Sequence, residues 1–435
     1  MQKKVIVIGG GFAGLSAAAY LANKKYKVTL LEASPKLGGR TYSFLDKETN
    51  TVLDNGQHIL MGCYSETLKF LSFIGAKENF HFQKRLEVNF VKEGFRVLPL
   101  KSFTFVYPFN LLIGLLKFKA ISLSDRASLL KVFSKLPFLT SDKFSNMNIK
   151  EWLEKENQSQ NVQDAFWKIL AVGALNTNIE KASAKIFIDI LKQIFLKGNK
   201  AATIVLPKYG LSESYCKNAE EFIVKNGGEI ILSEPVEKLI ISENQVTEIH
   251  SSEKVFLDFD FVISAIPAFA LNRIIDDENI FVLPDFKYSS ILNIHIWLKA
   301  TKFPEDFFGL INSPLHWVFN KGTHLNIVIS DANELVNKSD EDLIEMVKDE
   351  MKKFFLLDSE LIIGYKIIKE KRATFIPSND IIDKRPAQET QIKNLILAGD
   401  WVDTGLPSTI ESAVKSGRAA AELIIGQISF ITLPR

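Results

Sequence analysis

A run of apolar residues that ends in three consecutive glycines constrains the start of this chain more than any other feature. Val5–Ile8 predicts a buried strand, and Gly9, Gly11 and Gly14 follow it with the spacing G-x-G-x-x-G. The first glycine suits a tight turn, the second lets backbone amides approach a phosphate, and the third lets the next helix pack close to the strand. We therefore expect a βαβ unit whose first turn binds a dinucleotide.

The residues after this turn complete the expected unit. Residues 12–23 have the pattern of a helix with alanines on one face, and its N-terminal amides would favour a pyrophosphate. Residues 28–31 predict the second strand, and Glu32 follows at its end. A carboxylate at that position accepts hydrogen bonds from ribose hydroxyls and repels a 2′-phosphate, so NADP is disfavoured. The three glycines and Glu32 also argue against a signal peptide or membrane span after Lys3 and Lys4.

The end of the chain repeats the order of buried strand, turn and helix. Residues 395–397 predict a strand, Gly399 and Asp400 follow it, and Ser408 to Glu411 have the sequence of a capping box for a helix that runs to about Ile425. If this helix points at the pyrimidine end of a flavin, its amides stabilise the charge of the reduced ring. Asp400 would then accept a hydrogen bond from the ribityl chain.

Composition argues against nucleic-acid and metal binding. The 53 Lys and Arg residues against 51 Asp and Glu give a net charge of +2, and no basic stripe with interleaved aromatic residues is present. Cys63 and Cys216 have no metal or redox spacing and suit buried hydrophobic positions. The six histidines show no metal-ligand spacing, so we expect no metal; they are His58, His81, His250, His295, His316 and His324.

The 33 phenylalanines indicate large apolar surfaces, either in a core or around an apolar ligand. Residues 103–116 are rich in aromatic residues and leucine, and Lys117 and Lys119 follow them. Pro108 and Asn110 interrupt this segment, which is too short to span a bilayer. It suits either a helix in the membrane interface or a buried helix of a second domain.

Two interleaved domains explain the remaining patterns better than two consecutive ones. Helical patterns run from about residue 100 to 200, strand patterns at 229–232, 236–240 and 259–267 would extend the N-terminal sheet, and alternating segments from about 285 to 375 indicate a mostly antiparallel sheet. We predict an α/β fold with a discontinuous Rossmann-like dinucleotide domain and an interleaved α+β substrate domain that combines a mixed sheet with helices. The first comprises 1–75, 205–284 and 388–435, and the second comprises 76–204 and 285–387.

Several segments resemble a known family. With the N-terminal motif, Asp54–His58 and Ala398–Asp400 resemble the flavin amine oxidase and carotenoid desaturase superfamily, whose members bind FAD across a discontinuous domain. More narrowly, four segments resemble its squalene-associated branch, the hydroxysqualene dehydroxylases. These segments are residues 54–64, 174–177, 370–375 and 398–413.

The resemblance implies FAD as cofactor and the reduction of 12-hydroxysqualene to squalene with loss of water, in the synthesis of hopanoids or related triterpenes. The hydroxyl is allylic, so its loss gives a delocalised cation that reduced flavin would quench with a hydride, in an apolar tunnel that excludes water. The expected partners are an apolar C30 isoprenoid and an unidentified external electron donor, with no nucleic acid. The expected location is cytoplasmic, at the inner face of the membrane as a peripheral protein.

The residues that we expect to contact FAD come from both ends of the chain and from the resembling segments. They are Gly9, Gly11, Phe12, Ala13, Gly14, Glu32, Ala33, Gly38, Gly39, Arg40, Asn55, Gly56, Gln57, His58, Val236, Gly399, Asp400, Ser408, Thr409 and Ile410. The Arg40 guanidinium would pair with the pyrophosphate. His58 or Asp403 would assist the departure of water as catalytic residues, although each also suits a structural role.

Two other classes of function suit the same scaffold. The enzyme alternative is an FAD-dependent desaturase of a phytoene-type carotenoid precursor, or an amine oxidase. Amine oxidation favours an aromatic cage beside the flavin, which Trp401 alone does not form. The alternative without catalysis is a module that binds a prenyl lipid.

Overall fold

The computed structural model describes residues 2–103, 106–275, 282–299, 303 and 305–431. The strands, in chain order, are β1 (Lys4–Ile8), β2 (Lys27–Leu31), β3 (Ser43–Asp46), β4 (Thr51–Asp54), β5 (Leu60–Met61), β6 (Phe80–Phe82), β7 (Glu87–Lys92), β8 (Arg96–Lys101), β9 (Ile204–Pro207), β10 (Glu229–Ile231), β11 (Val236–Ser242), β12 (Gln245–Ser251), β13 (Val255–Phe256), β14 (Phe261–Ser264), β15 (Tyr288–Leu298), β16 (Phe307–Leu310), β17 (Trp317–Asn320), β18 (Leu325–Ile329), β19 (Ile362–Phe375) and β20 (Leu395–Leu397).

The α-helices follow the same order. They are α1 (Phe12–Asn23), α2 (Ser65–Phe73), α3 (Phe109–Leu116), α4 (Leu123–Lys135), α5 (Ile149–Lys155), α6 (Gln160–Val162), α7 (Lys168–Leu175), α8 (Ala184–Leu196), α9 (Lys217–Lys225), α10 (Ala268–Ile274), α11 (Asp340–Phe355), α12 (Asn379–Ile382) and α13 (Ile410–Ile431). Two π-helical turns, Gln163–Trp167 and Ser212–Cys216, lead into α7 and α9.

A five-stranded parallel sheet carries the N-terminal motif. Its order is β10-β2-β1-β14-β20, so strands from the beginning, middle and end of the chain lie side by side. Residues 5–8 of β1 are buried, as expected of a strand covered on both faces. The predicted strands near 229–232 and 259–267 therefore do extend the N-terminal sheet. The expectation that 236–240 joins it was wrong, because β11 pairs with β12 in a separate antiparallel sheet.

Helices α1 and α13 pack closely on one face of this sheet. A side chain at Gly417 of α13 would place its Cβ 2.1 Å from the backbone oxygen of Ala13, so the two helices approach as only glycine allows. The Ser16 hydroxyl also donates to the backbone oxygen of Val414 over 3.1 Å. The last helix is thereby fixed against the helix that begins at the glycine turn.

A seven-stranded sheet forms the second half of the molecule. Its order is β19-β15-β18-β17-β16-β7-β8, and its pairs are antiparallel except for the parallel pair β16 and β7. Helix α11 covers part of one face through Leu343, Val347 and Phe354, which are buried with strand residues such as Ile294. The mostly antiparallel sheet predicted for 285–375 is present, and β7 and β8 extend it.

Helices α3 to α8 pack around a cluster of large aromatic residues. Trp152, Trp167 and Phe187 are fully buried, with ring centroids about 6 Å apart in edge-on contacts. Helix α3 buries Leu111 and Leu115 but leaves Phe109 55% and Leu116 48% exposed. Helix α3 therefore has a buried face, as expected of a helix of the second domain, and contact of its exposed face with a membrane remains a prediction. Thr104 and Phe105 lie outside the described residues.

Within the described ranges, every helix falls short of the length and apolar character needed to cross a bilayer. The domain boundaries that we inferred from sequence remain a prediction.

Candidate functional site

A cleft of about 480 Å³ lies at the carboxyl ends of the parallel strands. Gly9 follows β1, Glu32 follows β2, Ala265 follows β14 and Gly399 follows close after β20, and all four line the cleft. This is the edge at which doubly wound sheets bind their ligands. The two ends of the chain therefore form one site, because Ser408 to Ile410 complete the same wall.

The glycine turn fits a bound pyrophosphate. Gly9 has a φ of +105°, and a Cβ at Gly14 would lie 1.8 Å from the oxygen of Gly9, so the helix sits directly on the turn. Gly11 differs, because a Cβ there would make only ordinary contacts, at 3.9 Å from Cα of Gly39 and 4.0 Å from the oxygen of Gly38, within the lining of the cleft. Helix α1 has no side-chain cap, and its first residues are buried at the cleft. Its free N-terminal amides form a cradle of the kind that binds phosphate groups.

The Glu32 carboxylate is fixed at the end of β2 by two backbone amides. Its Oε2 accepts from the amide of Gly10 over 2.6 Å, and its Oε1 accepts from the amide of Ser34 over 2.8 Å. Each carboxylate oxygen retains acceptor capacity, since an ionised carboxylate has about four acceptor positions. The group is therefore held in place for the ribose hydroxyls of an adenosine.

Arg40 and Asp400 join the two ends of the chain across the cleft. An Arg40 Nη2 donates to the Asp400 carboxylate in an ion pair, and its Nη1 donates to the backbone oxygen of Ala373 over 2.8 Å. The Ser408 hydroxyl donates to the other oxygen of Asp400. Burial opposes the charge of Arg40, but the carboxylate of Asp400 outweighs it and raises the Arg40 pKa above its ordinary value. The guanidinium is thus a permanent cation in the wall of the cleft.

The segment after β4 forms the wall between the two halves of the molecule. The Asn55 side chain donates to the backbone oxygen of Arg40 over 2.8 Å, and the backbone amide of Gln57 donates to Oδ1 of Asn293 over 3.2 Å. The Nε2 atom of His58 is buried without a partner among the described residues. Burial lowers the pKa of His58 to about 4, so its ring is neutral near pH 7.

Most of the predicted contact residues lie together in the cleft. The exceptions are Gly14, which packs beneath the turn, and Val236, which stands outside the lining in β11. Asp403 also lies outside the cleft lining. Its exposed carboxylate accepts hydrogen bonds from Arg385 and from the amide of Gly405, each over 3.1 Å. The individual FAD contacts and the two catalytic assignments remain predictions.

Several lining residues were missed from the sequence. They are Gly10, Thr41, Ala265, Ile266, Pro267, Ala270, Ile291, Asn293, Glu370, Ala373, Thr374, Trp401 and Ala413. Those at 265–270 follow β14, and a strand assigned to the parallel sheet is itself a signal that its following loop reaches the cleft. Ile291 and Asn293 lie within β15. They could not be predicted from sequence, because their place in the cleft depends on how the seven-stranded sheet packs against the parallel sheet.

The capping box predicted at 408–411 was wrong in its details. Helix α13 begins at Ile410, and Thr409 caps it by accepting from the amide of Ser412 over 3.2 Å. The Glu411 carboxylate instead accepts from the amides of Glu66 and Thr67 over 2.9 and 2.8 Å, and so caps α2. The N-terminus of α2 binds the Glu411 carboxylate in place of the N-terminus of α13. The sequence around Glu411 does not reveal this contact.

A second cavity, of about 190 Å³, adjoins the cleft and is almost entirely apolar. Thr409 lines both the cleft and this cavity. His58 lines the cleft, and the next residue, Ile59, lines the cavity. Its walls come from β5, β7, β8, β9, β17, α7, α8, the π-helical turn before α7 and the turn before α13. They include Ile59, Met61, Leu86, Val88, Phe90, Leu100, Phe166, Ile169, Leu170, Ile190, Ile194, Phe195, Ile204, Trp317 and Leu406.

Burial disfavours the charged forms of the titratable groups that line this apolar cavity. Burial raises the pKa of the Cys63 thiol to about 12 and raises the pKa of the Tyr64 phenol above its ordinary value. Burial also raises the pKa of Glu411, against the backbone amides that favour its ionised form. The cavity therefore suits an uncharged apolar molecule and excludes water from it.

This fold and site define a dinucleotide-binding oxidoreductase in which an apolar cavity meets the cofactor cleft. The chain belongs to the flavin containing amine oxidoreductase family, whose model matches residues 12–425. Members of the family bind FAD, and FAD is accordingly the cofactor of this protein.

Comparison with individual proteins agrees with this assignment. The chain is 28% identical to a hydroxysqualene dehydroxylase of Zymomonas mobilis, over 96% of this chain and 98% of the relative. It is 23% identical to a 15-cis-phytoene desaturase of an Oncidium hybrid, over 97% of this chain and 78% of the relative. In structure it is similar to an oxidoreductase from Methanosarcina mazei, with a TM-score of 0.73, 17% identity and coverage of 96% and 100% of the two chains.

Proposed function

We propose that this protein reduces 12-hydroxysqualene to squalene with release of water. The observation that carries the proposal is the apolar cavity that lies next to the FAD cleft and shares Thr409 with its lining. An allylic cation formed by loss of a hydroxyl survives only where water is excluded, and the lining supplies that exclusion. The similarity to the Zymomonas mobilis dehydroxylase supports the same substrate class.

The chain contributes binding, orientation and exclusion of water. Gly11 and the N-terminus of α1 would hold the pyrophosphate, Arg40 would add a cation beside it, and Glu32 would bind the adenosine ribose. FAD, once bound and reduced, supplies the hydride. The N-terminal amides of α13 line the cleft at Ser408 to Ile410, where they would stabilise negative charge.

Of the two candidates for assisting the leaving hydroxyl, position favours His58 over Asp403. His58 lines the cleft and precedes Ile59, which lines the apolar cavity, and its Nε2 has no partner among the described residues. Asp403 is exposed and paired with Arg385. Because the His58 ring is neutral at rest, we propose that it passes a proton onward rather than storing one.

A phytoene-type desaturase is the second candidate, since an apolar cavity beside the flavin suits a carotenoid equally well. The relative at 23% identity supports that class. An amine is less suited, because protonated amines are charged and the cavity offers mostly apolar side chains. Electron flow separates the two leading candidates: the dehydroxylase oxidises reduced flavin and the desaturase reduces oxidised flavin.

The deciding experiment uses purified holoprotein without air. With reduced FAD and 12-hydroxysqualene, we expect reoxidation of the flavin and formation of one squalene per flavin. With oxidised FAD and phytoene, we expect no bleaching. Bleaching by phytoene with no squalene formed would replace the proposal with the desaturase, and inactivity toward both lipids in a yellow, folded protein would refute both.

We also propose that the protein takes its substrate from a membrane surface through α3. A small cavity shares Leu86, Leu100, Phe166 and Phe195 with the apolar cavity and reaches the inner face of α3 at Leu111. The outer face of α3 exposes Phe109 and Leu116, and apolar residues near it are also exposed: Val106 72%, Leu123 77% and Phe138 86%. Lysines such as Lys117 and Lys119 border this surface, as in helices that lie in a membrane interface.

A further inference from the structure

A group of buried polar side chains lies behind the FAD cleft in the seven-stranded sheet. His295 on β15 faces Asn326 on β18 in register, and both are fully buried. His324, just before β18, is 5% exposed, and its ring centroid lies 5.1 Å from that of His295. We call His295, His324 and Asn326 the sheet polar cluster.

Five polar atoms of the sheet polar cluster are buried without a partner among the described residues: both ring nitrogens of His295, both side-chain polar atoms of Asn326 and Nε2 of His324. Nδ1 of His324 pairs with the Thr323 hydroxyl over 3.0 Å, and the backbone of Asp54 lies close enough to His295 to favour its protonated form. Leaving a buried polar atom unpaired costs about 1–3 kcal/mol, so five such atoms in one place would be a large penalty. Ordered water is the usual solution, since one molecule makes two to four hydrogen bonds.

The cluster is connected to the wall of the cleft. Asn293 lies two residues before His295 on β15, so both side chains are on the same face of the strand, and Asn293 lines the cleft. A Cβ built on Gly56 would lie 3.2 Å from Nδ2 of Asn293 and 3.5 Å from Nε2 of His58. The unpartnered nitrogen of His58 therefore lies beside the end of the polar face.

The loop that carries His324 approaches solvent at Lys321, beside the segment of residues 54–58 that carries His58. The Nζ of Lys321 is 3.3 Å from the Asp54 carboxylate and donates to Oε1 of Gln57 over 3.0 Å, and the Lys321 side chain is 23% exposed. The Asp54 carboxylate also accepts from the Leu211 amide over 2.9 Å and is fixed in place. Asp54 and Lys321 influence all three histidines, since their charges act on His58, His295 and His324.

We propose that His295, His324 and Asn326 enclose ordered water and form a proton path from solvent at Lys321 to His58 at the FAD cleft. A proton is consumed whenever bound FAD takes up two electrons, because FAD plus two electrons and one proton gives the reduced anion. A second is consumed when a hydroxyl leaves as water, and that part rests on the proposed function. The apolar side chains that line the neighbouring cavity cannot supply either proton.

Neutral imidazole rings suit this task. Burial lowers the pKa of His295 to about 3 and that of His324 to about 4, so each ring at rest has one donor and one acceptor nitrogen. A proton accepted at one nitrogen is released from the other, and water bridges the gaps between rings. A metal is not indicated, because the described residues contain no group of three potential metal ligands.

The test measures proton uptake rather than turnover. FAD in the holoprotein is reduced without substrate by a light flash, with 5-deazaflavin as sensitiser and excess EDTA as the electron donor. A pH-indicator dye follows proton uptake in weakly buffered solution, and free FAD treated in the same way gives the correction for protons that the donor releases. We expect His295→Leu to slow uptake at least about tenfold, with FAD content and the flavin spectrum unchanged. His295→Gln, which keeps polar contacts to water but cannot pass a proton through its side chain, should also be slow and guards against a folding defect in the first variant.

The matched control is His316→Gln. His316 belongs to the same sheet, but its Nδ1 accepts from the amide of Ser330 over 3.0 Å and it stands outside the cluster. This variant should keep the wild-type uptake rate, and a high-resolution crystal structure of the holoprotein should show water bonded to His295 and Asn326. Unchanged uptake in both His295 variants, or a dry cluster, would overturn the proposal. Because no lipid is present, this result is independent of the substrate assignment.

Discussion

In the turn from Gly9 to Gly14, one glycine is required for folding and another for binding of the cofactor. At Gly14 a Cβ would overlap the oxygen of Gly9 at 1.8 Å, whereas at Gly11, which lines the cleft, it would lie 3.9 Å from its nearest described neighbour, Cα of Gly39. The first glycine serves the packing of α1, and the second serves the ligand. Sequence motifs of this kind therefore combine two physical requirements.

Gly14→Ala and Gly11→Ala should consequently differ. Gly14→Ala should destabilise the protein by about 1–3 kcal/mol even without FAD, because backbone must move to admit the methyl group. Gly11→Ala should leave the apoprotein as stable as wild type yet weaken FAD binding. Thermal unfolding with and without FAD, together with flavin content, distinguishes them; equal losses of apoprotein stability would contradict this division.

At the scale of elements, the contact between α1 and α13 holds the two ends of the chain on one cofactor. Gly417→Ala should force these helices apart, since its Cβ would lie 2.1 Å from the oxygen of Ala13. We expect a loss of about 1–3 kcal/mol and reduced FAD retention. Gly426→Ala is the control in the same helix, because nothing lies within 4 Å of its Cβ; it should be neutral or stabilise by up to about 1 kcal/mol.

Helix α3 offers a test of membrane contact. Phe109→Ser with Leu116→Ser should reduce binding to anionic liposomes, because these exposed side chains would enter the interface. Unfolding midpoints should change little, since the buried face at Leu111 and Leu115 is intact. Val255→Ser with Leu257→Ser alters equally exposed apolar residues on another element and should leave binding unchanged. Equal binding by all variants would remove α3 as the contact.

The elements of the cofactor cleft could be predicted because their signals are local. The strand, glycine turn and helix at 4–23, the acidic residue after β2, and the strand and helix at the C-terminus each follow from neighbouring residues. The roles of Glu411 and Asn293 could not, since each partner lies more than two hundred residues away. The separation of β11 from the parallel sheet has the same origin, because an amphipathic strand fits either sheet.

At the scale of the whole molecule, the fold buries several histidines in uncharged form. Burial lowers the pKa to about 4 for His58, His316 and His324 and to about 3 for His295. These residues lie on or beside the wall between the two sheets and within the second sheet, so their titration is coupled to folding as a whole. The unfolded chain binds protons at these rings near their ordinary pKa of 6.5.

Stability should therefore fall steeply as the pH drops below about 6.5, because protons then bind the unfolded chain in preference to the folded one. The contribution of each ring is fully present above 6.5 and is lost by the time the pH passes its folded pKa. One unit of pKa difference corresponds to about 1.4 kcal/mol, an upper limit for each ring per pH unit. His295→Gln removes one such group, so its unfolding free energy in urea, at fixed excess FAD, should fall less between pH 7 and 5 than that of wild type. Parallel pH dependences would show that the pKa of His295 in the folded protein is close to its ordinary value, which would contradict this prediction.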